Sequence, residues 1–366
     1  MKILSIVWYK ILPARFGGQK GIAHFNEGLA EWHPLVCLCS CNNEPTPGLP
    51  YRVIPSLPES KLQIISPRWW LKIAAIARSQ RTTHIILEHP YHGIAAVWAR
   101  NRTGAMLIVH SHNIESDRFR RLGKWWWRIL ATYERWVHRK ADLSLFKTPS
   151  DLNYAIKHFQ LNPANCMIMP YPVMRPEVID RSEAGAIIRR RHNISANERI
   201  LLFAGTLDYE PNALAVQSIY AEIAPRLLKT GVALRIIICG RNKFEAFQYL
   251  KGMAHPLVID AGEVDDIENY FACADLFINP VQWSGGVKTK NIDALAYSLP
   301  VVCFRLEGQP VDQEWAEFIS ETEAGDWDTF VAKIIYQLNQ PRKSIPEKFF
   351  EKNSSREELA KFAASL

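Results

Sequence analysis

The residues best suited to chemistry lie in one short stretch, in which two glycines precede a charged helical segment. Gly285 and Gly286 permit close backbone approach to a ligand, and Lys288 and Lys290 add two positive charges. A helix starting there would direct unpaired N–H groups and its positive dipole end at the loop. Asp293, just inside that helix, could accept hydrogen bonds from hydroxyl groups. The stretch predicts a site for a diphosphate beside a diol, as in a nucleotide sugar, although a plain strand-to-helix turn would show the same glycines.

The elements that must position this stretch follow from the order of apolar runs. Residues 276–280 and 300–304 flank it as buried strands, and similar strands alternate with helices along the chain. Such alternation predicts parallel sheets. The expected fold is α/β of the GT-B kind, with two Rossmann-like doubly wound parallel-sheet domains facing a cleft. The predicted division is residues 1–172, residues 173–345, and a C-terminal helix in residues 346–366 that packs back on the first domain.

Composition narrows the partners. The 366 residues carry a net charge of +7 and a pI of about 9.0, which favours anionic ligands and surfaces. No zinc finger, RNP or helix-turn-helix pattern supports nucleic acid. No apolar run reaches the roughly 18 residues that span a bilayer, and the N-terminus does not resemble a signal peptide. We therefore expect a cytoplasmic protein, peripheral at the inner face of the membrane, and the sequence leaves its oligomeric state open.

Two basic and aromatic segments could lie on an anionic membrane surface. They are residues 67–78 and residues 118–140, and the second carries eight Lys or Arg against one acid, Glu134. Helical spacing predicts that Ile129 and Val137 face the core. An ordinary solvated helix face would show the same charges, and both interpretations stay open.

Several polar residues fall where predicted strands end. Glu88, His110 and His112 would lie at the carboxyl ends of two strands, where parallel sheets bind ligands. Gly17 and Gly18 precede a helix after the first strand, which again suits an anion or a simple turn. The seven cysteines, odd in number, indicate reduced thiols and offer no recognisable metal spacing.

Five motifs, loose singly but in the correct order, resemble those of the GT-B glycosyltransferases, specifically the retaining, nucleotide-sugar-dependent family 4. The resemblance spans nearly the whole chain and implies transfer of a sugar from a nucleoside diphosphate to a glycan or lipid-linked acceptor, in cell-surface polysaccharide biosynthesis. The motifs are residues 203–212, residues 270–280, residues 285–302, Phe16-Gly17-Gly18, and His112-Asn113-Ile114-Glu115.

The resemblance also implies roles for individual residues. Gly286, Val287 and Lys288 would hold the diphosphate, and His112 would lie beside the transferred sugar. Lys288 and His112 are the expected catalytic residues. Donor-binding positions implied in the same way are Gly17, Gly18, Gly205, Glu263, Val264, Gly285, Gly286, Val287, Lys290 and Asp293.

One departure from the family pattern concerns the donor site. The usual pair of glutamates eight residues apart is here Gly285 and Asp293. No metal ion or other cofactor is expected, because N–H groups and lysine charge would stabilise the leaving diphosphate. The alternatives are a GT-B-fold epimerase using Glu88, His89 and His110, a pyridoxal-phosphate phosphorylase, which normally needs a longer chain, and a non-catalytic module that binds sugar nucleotides.

Overall fold

The computed structural model describes residues 1–14, 17–58, 60, 64–283, 287–305 and 315–366. Their fold comprises two compact α/β units. Met1–Pro172 and Glu351–Leu366 belong to the first unit, and the second unit lies within residues 173–350. The predictions for Phe16, Gly285 and Gly286 fall outside the described residues.

A seven-stranded parallel sheet forms the centre of the first unit. Its spatial order is β3-β2-β1-β4-β5-β6-β7, so the direction of strand succession reverses between β1 and β4. These strands are short apolar runs with helices on both faces, as buried parallel strands require. The strands are β1 (Ile3–Val7), β2 (Leu35–Ser40), β3 (Arg52–Leu57), β4 (His84–Glu88), β5 (Met106–Ser111), β6 (Leu143–Phe146) and β7 (Cys166–Ile168).

The helices of this unit cover two apolar clusters, one on each face of the sheet. They are α1 (Gly17–Ala30), α2 (Pro67–Ser79), α3 (Gly93–Thr103), α4 (Glu115–Arg121), α5 (Trp127–Lys140) and α6 (Pro149–Tyr154), followed by a π-helical turn (Ala155–Phe159) and a 3₁₀ turn (Pro163–Asn165). The basic segment is therefore two helices, separated at Gly123, whose φ is +64°. The prediction that Ile129 faces the core is wrong, because α5 turns that side chain into solvent while Val137 is buried.

A six-stranded parallel sheet forms the second unit, in the order β10-β9-β8-β11-β12-β13. Strand succession reverses between β8 and β11. Together with the first sheet, this arrangement confirms the predicted fold of two parallel-sheet domains. The strands are β8 (Arg199–Ala204), β9 (Leu234–Cys239), β10 (Val258–Gly262), β11 (Leu276–Asn279), β12 (Val301–Phe304) and β13 (Ile319–Thr322).

Helices of the second unit pack on both faces of its sheet, and two further helices close the chain. They are α7 (Arg181–His192), α8 (Glu210–Ser218), a π-helical turn (Ile219–Ile223), α9 (Ala224–Lys229), a 3₁₀ segment (Glu245–Gly252), α10 (Ile267–Cys273), α11 (Thr289–Ala296), α12 (Trp327–Leu338), α13 (Glu347–Asn353) and α14 (Arg356–Ser365). Among the described residues, no helix combines the length and apolar character needed to cross a membrane.

The last helix returns to the first unit. Phe362 of α14 is fully buried in that unit's core and stacks on Phe25 of α1, with ring centroids 6.0 Å apart. Burying a phenylalanine side chain stabilises a fold by about 1.5–3 kcal/mol, so this single residue fastens α14 to the unit.

Candidate functional site

In the second unit, the reversal of strand order places a loop and a helix start side by side. The chain leaves β8 at Gly205, and α11 follows the adjacent strand β11. Asn291 secures the helix, because its side chain accepts a hydrogen bond from the Asn279 amide at 2.7 Å and lies 3.5 Å from the thiol of Cys303. Such a reversal is where open parallel sheets bind ligands.

Lys290 brings its charge to this position. A Cβ atom built on Gly205 would lie only 2.5 Å from Cε of Lys290, so the lysine stem crosses directly over the glycine. Burial lowers the pKa of Lys290 to about 8, although the negative charge of Asp293, one helical turn away, acts to raise it. A desolvated ammonium, a helix N-terminus and a bare backbone together form a site that favours an anion.

Lys288 points elsewhere. Its ammonium donates to the carbonyl of Phe304 at 2.8 Å and lies 3.6 Å from a carboxylate oxygen of Glu321, on the side of β12 and β13. The structure thus separates the two lysines that the sequence placed together: Lys290 faces Gly205, and Lys288 faces Glu321. Val287 precedes them and is partly buried.

The loops after β9 and β10 frame the other side of Gly205. The carboxylate of Asp208 accepts hydrogen bonds from the backbone N–H groups of Lys243 and Phe244, at 2.6 and 2.7 Å. Glu263 follows β10 and pairs with Lys243 at 3.3 Å, with Val264 partly buried beside it. Asp208 was missed from the sequence as a structural anchor, although it sits in the motif at residues 203–212.

In the first unit, a buried cluster of ionisable side chains lies where β4 and β5 end. One carboxylate oxygen of Glu88 is 2.7 Å from Nε2 of His112 and 3.0 Å from Nδ1 of His110. Burial raises the pKa of Glu88 to about 8 and lowers those of both histidines well below their usual value. Lys147, which follows β6, faces the same cluster, and burial lowers its pKa to about 8.

A second carboxylate borders this cluster. Glu115 receives Arg118 at 2.6 Å and the hydroxyl of Tyr91 at 2.7 Å, and its other oxygen lies 3.1 Å from His89. Burial alone would raise the pKa of Glu115, but Arg118 and His89 outweigh it and bring the pKa to about 2. His89 has a φ of +65°, which is uncommon for a residue other than glycine. Its ring stacks on that of His112, with the ring centroids 4.6 Å apart.

The N-terminus of α1 reaches the same region through a tyrosine. A Cβ on Gly18 would lie 3.5 Å from the hydroxyl of Tyr9, whose ring contacts His89 at 5.8 Å. The carbonyl of Gly17 accepts a hydrogen bond from Tyr171 at 3.0 Å. Each unit thus gathers its polar residues where its strand order reverses, one set cationic and one rich in histidine.

Comparison with known protein families assigns both units. Residues 198–340 match the model of the glycosyl transferases group 1, and residues 16–172 match that of the glycosyl transferase 4-like domain. The chain is a glycosyltransferase with the GT-B fold. Comparison with the sequences of curated proteins finds no significant match.

Solved structures of similar fold extend over the whole enzyme. Sucrose-phosphate synthase from Thermosynechococcus elongatus has a TM-score of 0.74 at 15% identity, covering 99% of this chain and 94% of that one. HepE of Anabaena in complex with UDP and glucose has a TM-score of 0.71 at 14% identity, with both chains fully covered. WaaG, a glycosyltransferase involved in lipopolysaccharide biosynthesis, has a TM-score of 0.66 at 15% identity, covering 99% and 95%. At these identities the likeness establishes the fold.

Proposed function

We propose that the enzyme transfers a sugar from a nucleoside diphosphate sugar to a glycan or lipid-linked acceptor, with retention at the anomeric carbon, in cell-surface polysaccharide biosynthesis. The observation that carries the proposal is the desolvated ammonium of Lys290 over Gly205, at the N-terminus of α11. HepE, which shares the fold, was crystallised with UDP and with UDP-glucose, so uridine diphosphate sugars are the first donors to test.

The proposed chemistry is the departure of a diphosphate. The bond between the anomeric carbon and the phosphate oxygen breaks, and a bond to the acceptor oxygen forms on the same face of the sugar. The acceptor's proton passes to the leaving phosphate, so no protein nucleophile is required. Lys290 and the N–H groups of α11 stabilise the developing negative charge, which is the preorganised electrostatic effect that dominates many enzymes.

Lys288 joins this step once a donor is bound. Its ammonium is held by Glu321 and by the carbonyl of Phe304, and it reaches the phosphates only by leaving those partners. Lysine charge and helix N–H groups serve in place of a metal ion, so we propose that transfer needs no metal. Excess chelator should leave the rate unchanged, and a rate that required added Mg²⁺ or Mn²⁺ would contradict this part.

Other residues are proposed to bind the remaining parts of the donor. Asp293, whose charge already acts on Lys290, accepts hydrogen bonds from the ribose hydroxyls. Backbone groups at Glu263 and Val264 meet the base, and Gly205 admits the phosphates. The roles of Gly17 and Gly18 at the phosphates and of His112 at the transferred sugar rest on the family resemblance. The roles of Gly285, Gly286 and Val287 at the diphosphate rest on the family resemblance.

A membrane-held acceptor is supported by the surface of α2, α3 and α5. Leu71 of α2 is 55% exposed, Ile129 of α5 is 66% exposed, and Trp125, just before α5, is 82% exposed. Cations lie over neighbouring rings, with Lys72 4.6 Å from Trp69 and Arg102 4.0 Å from Trp98. Exposed aromatic and basic side chains together suit an anionic lipid surface. We therefore place the enzyme at the inner face of the membrane as a peripheral protein.

A screen of nucleotide sugars tests the proposal. Each donor is incubated with the enzyme and a lipid-linked or oligosaccharide acceptor, and NMR follows the anomeric proton of donor and product. We expect nucleoside diphosphate to be released as a new glycoside appears in the donor's anomeric configuration. An altered sugar still attached to its nucleotide would indicate an epimerase. A donor that binds and never reacts would indicate a binding module.

A further inference from the structure

Glu88 makes contacts that the family resemblance does not explain. It is 1% exposed, and its carboxylate meets ring nitrogens of both His110 and His112. Three ionisable side chains on other elements interact with it electrostatically. Tyr9 follows β1, Cys37 lies on β2 and Lys147 follows β6.

The contacts determine where the ring protons lie. Above its pKa of about 8, Glu88 is ionised and its carboxylate can only accept hydrogen bonds, so each nitrogen facing it must then carry a hydrogen. Burial lowers the pKa of both rings, which keeps them neutral, and a neutral imidazole has one N–H. His112 then carries its proton on Nε2 and an unprotonated lone pair on Nδ1. Among the residues that the structure describes, Nδ1 of His112 has no hydrogen-bond partner.

Lys147 supports the ionised form of the carboxylate. Burial disfavours the charge on each group, but the positive charge of Lys147 lowers the pKa of Glu88, and the negative charge of Glu88 raises that of Lys147. The two histidine rings make the hydrogen bonds to the carboxylate, and the charge of Lys147 acts on it from a greater distance. His89 stacks on His112 and in turn faces Glu115, so the ring is held on a second side.

The same side chains could be read as a metal site. Glu88, His110 and His112 each offer one ligand atom within 4.8 Å of the others. However, an ammonium beside the cluster repels a cation. In addition, the 2.7 Å contact between Glu88 and His112 is the length of a charge-assisted hydrogen bond. The observations therefore favour a hydrogen-bonded cluster.

We propose that Glu88 is a positioning residue, which fixes His112 in the tautomer whose Nδ1 accepts a hydrogen bond from a hydroxyl group of the donor sugar. This inference rests on the proposed function in one respect, the contact of His112 with the sugar. It adds the direction of that hydrogen bond and the residue that sets it. Donors whose hydroxyl at this position is replaced by hydrogen lose the contact.

Histidine NMR tests the tautomer without any assay of transfer. The protein is labelled with ¹⁵N at histidine, and His112→Gln identifies the signals of His112. At pH 8.5, above the pKa of Glu88, we expect a protonated Nε2 and an unprotonated Nδ1, and neither ring should take up a proton as the pH is lowered to 6. Glu88→Gln leaves one acceptor for two ring N–H groups and should change the tautomer of at least one ring. A proton on Nδ1 of His112, or His110 and His112 signals unchanged in Glu88→Gln, would overturn the proposal, as would a stoichiometric metal ion retained by the purified protein.

Kinetic measurements then test whether Glu88 affects transfer through His112. At pH 8.5, where Glu88 is mostly ionised, Glu88→Gln should lower kcat by about 100-fold, the size expected for a misplaced contact group, and change KM for the donor by less than about threefold. Adding His112→Ala to Glu88→Gln should cost nothing further, since both changes remove one contact. If the losses in kcat of the two single variants multiply in the double variant, Glu88 acts independently of His112 and the proposal is refuted.

Glu134→Gln is the matched control, because Glu134 is also fully buried but bonds only to the backbone N–H groups of Glu115 and Ser116. It should keep kcat within about threefold, since its carboxylate contacts no histidine. A comparable loss in this control would attribute the effect of Glu88→Gln to burial of an amide. If no nucleotide sugar releases nucleoside diphosphate, the proposed function is wrong. The NMR experiment still tests the tautomer of His112, because it does not depend on transfer.

Discussion

At the scale of single residues, burial decides which charges act. The sequence placed Lys288 and Lys290 in one site with equal formal charge, but the fold gives them opposite directions. Lys288 meets Glu321, a residue of β13 that no motif pointed to, and Lys290 meets Gly205. Lys288 and Lys290 are two positions apart, and their spacing alone does not predict which way each side chain points. Their directions depend on where α11 begins.

The pKa of Lys290 predicts how donor binding depends on pH. Because that pKa is about 8, the ammonium is charged below pH 8 and loses its proton above it. The Kd for nucleoside diphosphate should therefore rise as pH increases from 8 to 9.5. Lys290→Gln should weaken binding about 10- to 100-fold at pH 7, the loss of a charge-assisted hydrogen bond, and flatten the pH profile. Calorimetric titration measures both, and a wild-type profile that stays flat would argue against Lys290.

At the scale of elements, close approaches between loops and strands set the site. Gly205 lies beneath Lys290, and a Cβ on Gly240 would approach the carbonyl oxygen of Gly205 to 2.0 Å. Glu134 anchors the first turn of α4 from within α5, although the sequence showed it only as the lone acid of a basic segment. These contacts join residues distant in sequence, so local patterns predicted the helices and strands but not the anchors.

Substitution of the two glycines should separate binding from stability. Gly205→Ala displaces the flexible end of Lys290, and its Cβ would lie 3.1 Å from the Asn212 amide, so it should weaken nucleoside diphosphate binding about tenfold and destabilise the protein less than Gly240→Ala does. Gly240→Ala meets backbone and should destabilise the protein by about 3 kcal/mol. Thermal unfolding and ligand titration on both variants check this. Equal effects of the two changes on binding and stability would speak against a role for Gly205 in positioning Lys290.

Glu134 predicts a pH dependence of stability. Burial raises its pKa to about 7, above the value in an unfolded chain, so the folded protein holds this proton more tightly. Its contribution should therefore favour folding at low pH and be lost as pH rises from about 4.5 to 7. Glu134→Gln, which does not titrate, should remove that part of the slope. Urea unfolding at several pH values gives the free energy of unfolding of the wild type and of Glu134→Gln. If the two free energies depend on pH in the same way, Glu134 makes no such contribution.

At the scale of the whole molecule, alternation of strands and helices was enough to predict both parallel sheets. Several elements were not anticipated. β13 is a four-residue strand at the sheet edge, and α7 lies in a polar stretch shortly after the predicted domain boundary at residue 172. Short edge strands and polar helices have weak apolar periodicity, so their sequences carry little signal. The exposed face of Ile129 was missed because the buried face of α5 includes the polar residues Glu134 and His138 beside Leu130 and Val137, so apolar spacing misplaced its centre.

The exposed aromatic and basic surface predicts binding to anionic vesicles. Sedimentation with phosphatidylserine vesicles should decrease as salt increases, because each lysine or arginine near the surface contributes about 1 kcal/mol that salt screens. Trp125→Ala and Lys72→Glu should each reduce binding. Lys229→Glu, an exposed charge reversal on α9 of the other unit, is the control and should have no effect. Equal loss in Lys72→Glu and Lys229→Glu would indicate a general effect of net charge.

The release of nucleoside diphosphate from a nucleotide sugar, compared between the wild-type enzyme and Lys290→Ala, tests the account most directly. Lys251→Ala removes an exposed lysine of the same unit and serves as the control. We predict release coupled to formation of a glycoside by the wild-type and Lys251→Ala proteins, and release at least about tenfold slower with Lys290→Ala. Equal rates for all three proteins, or no release from any nucleotide sugar, would contradict a donor diphosphate seated over Gly205.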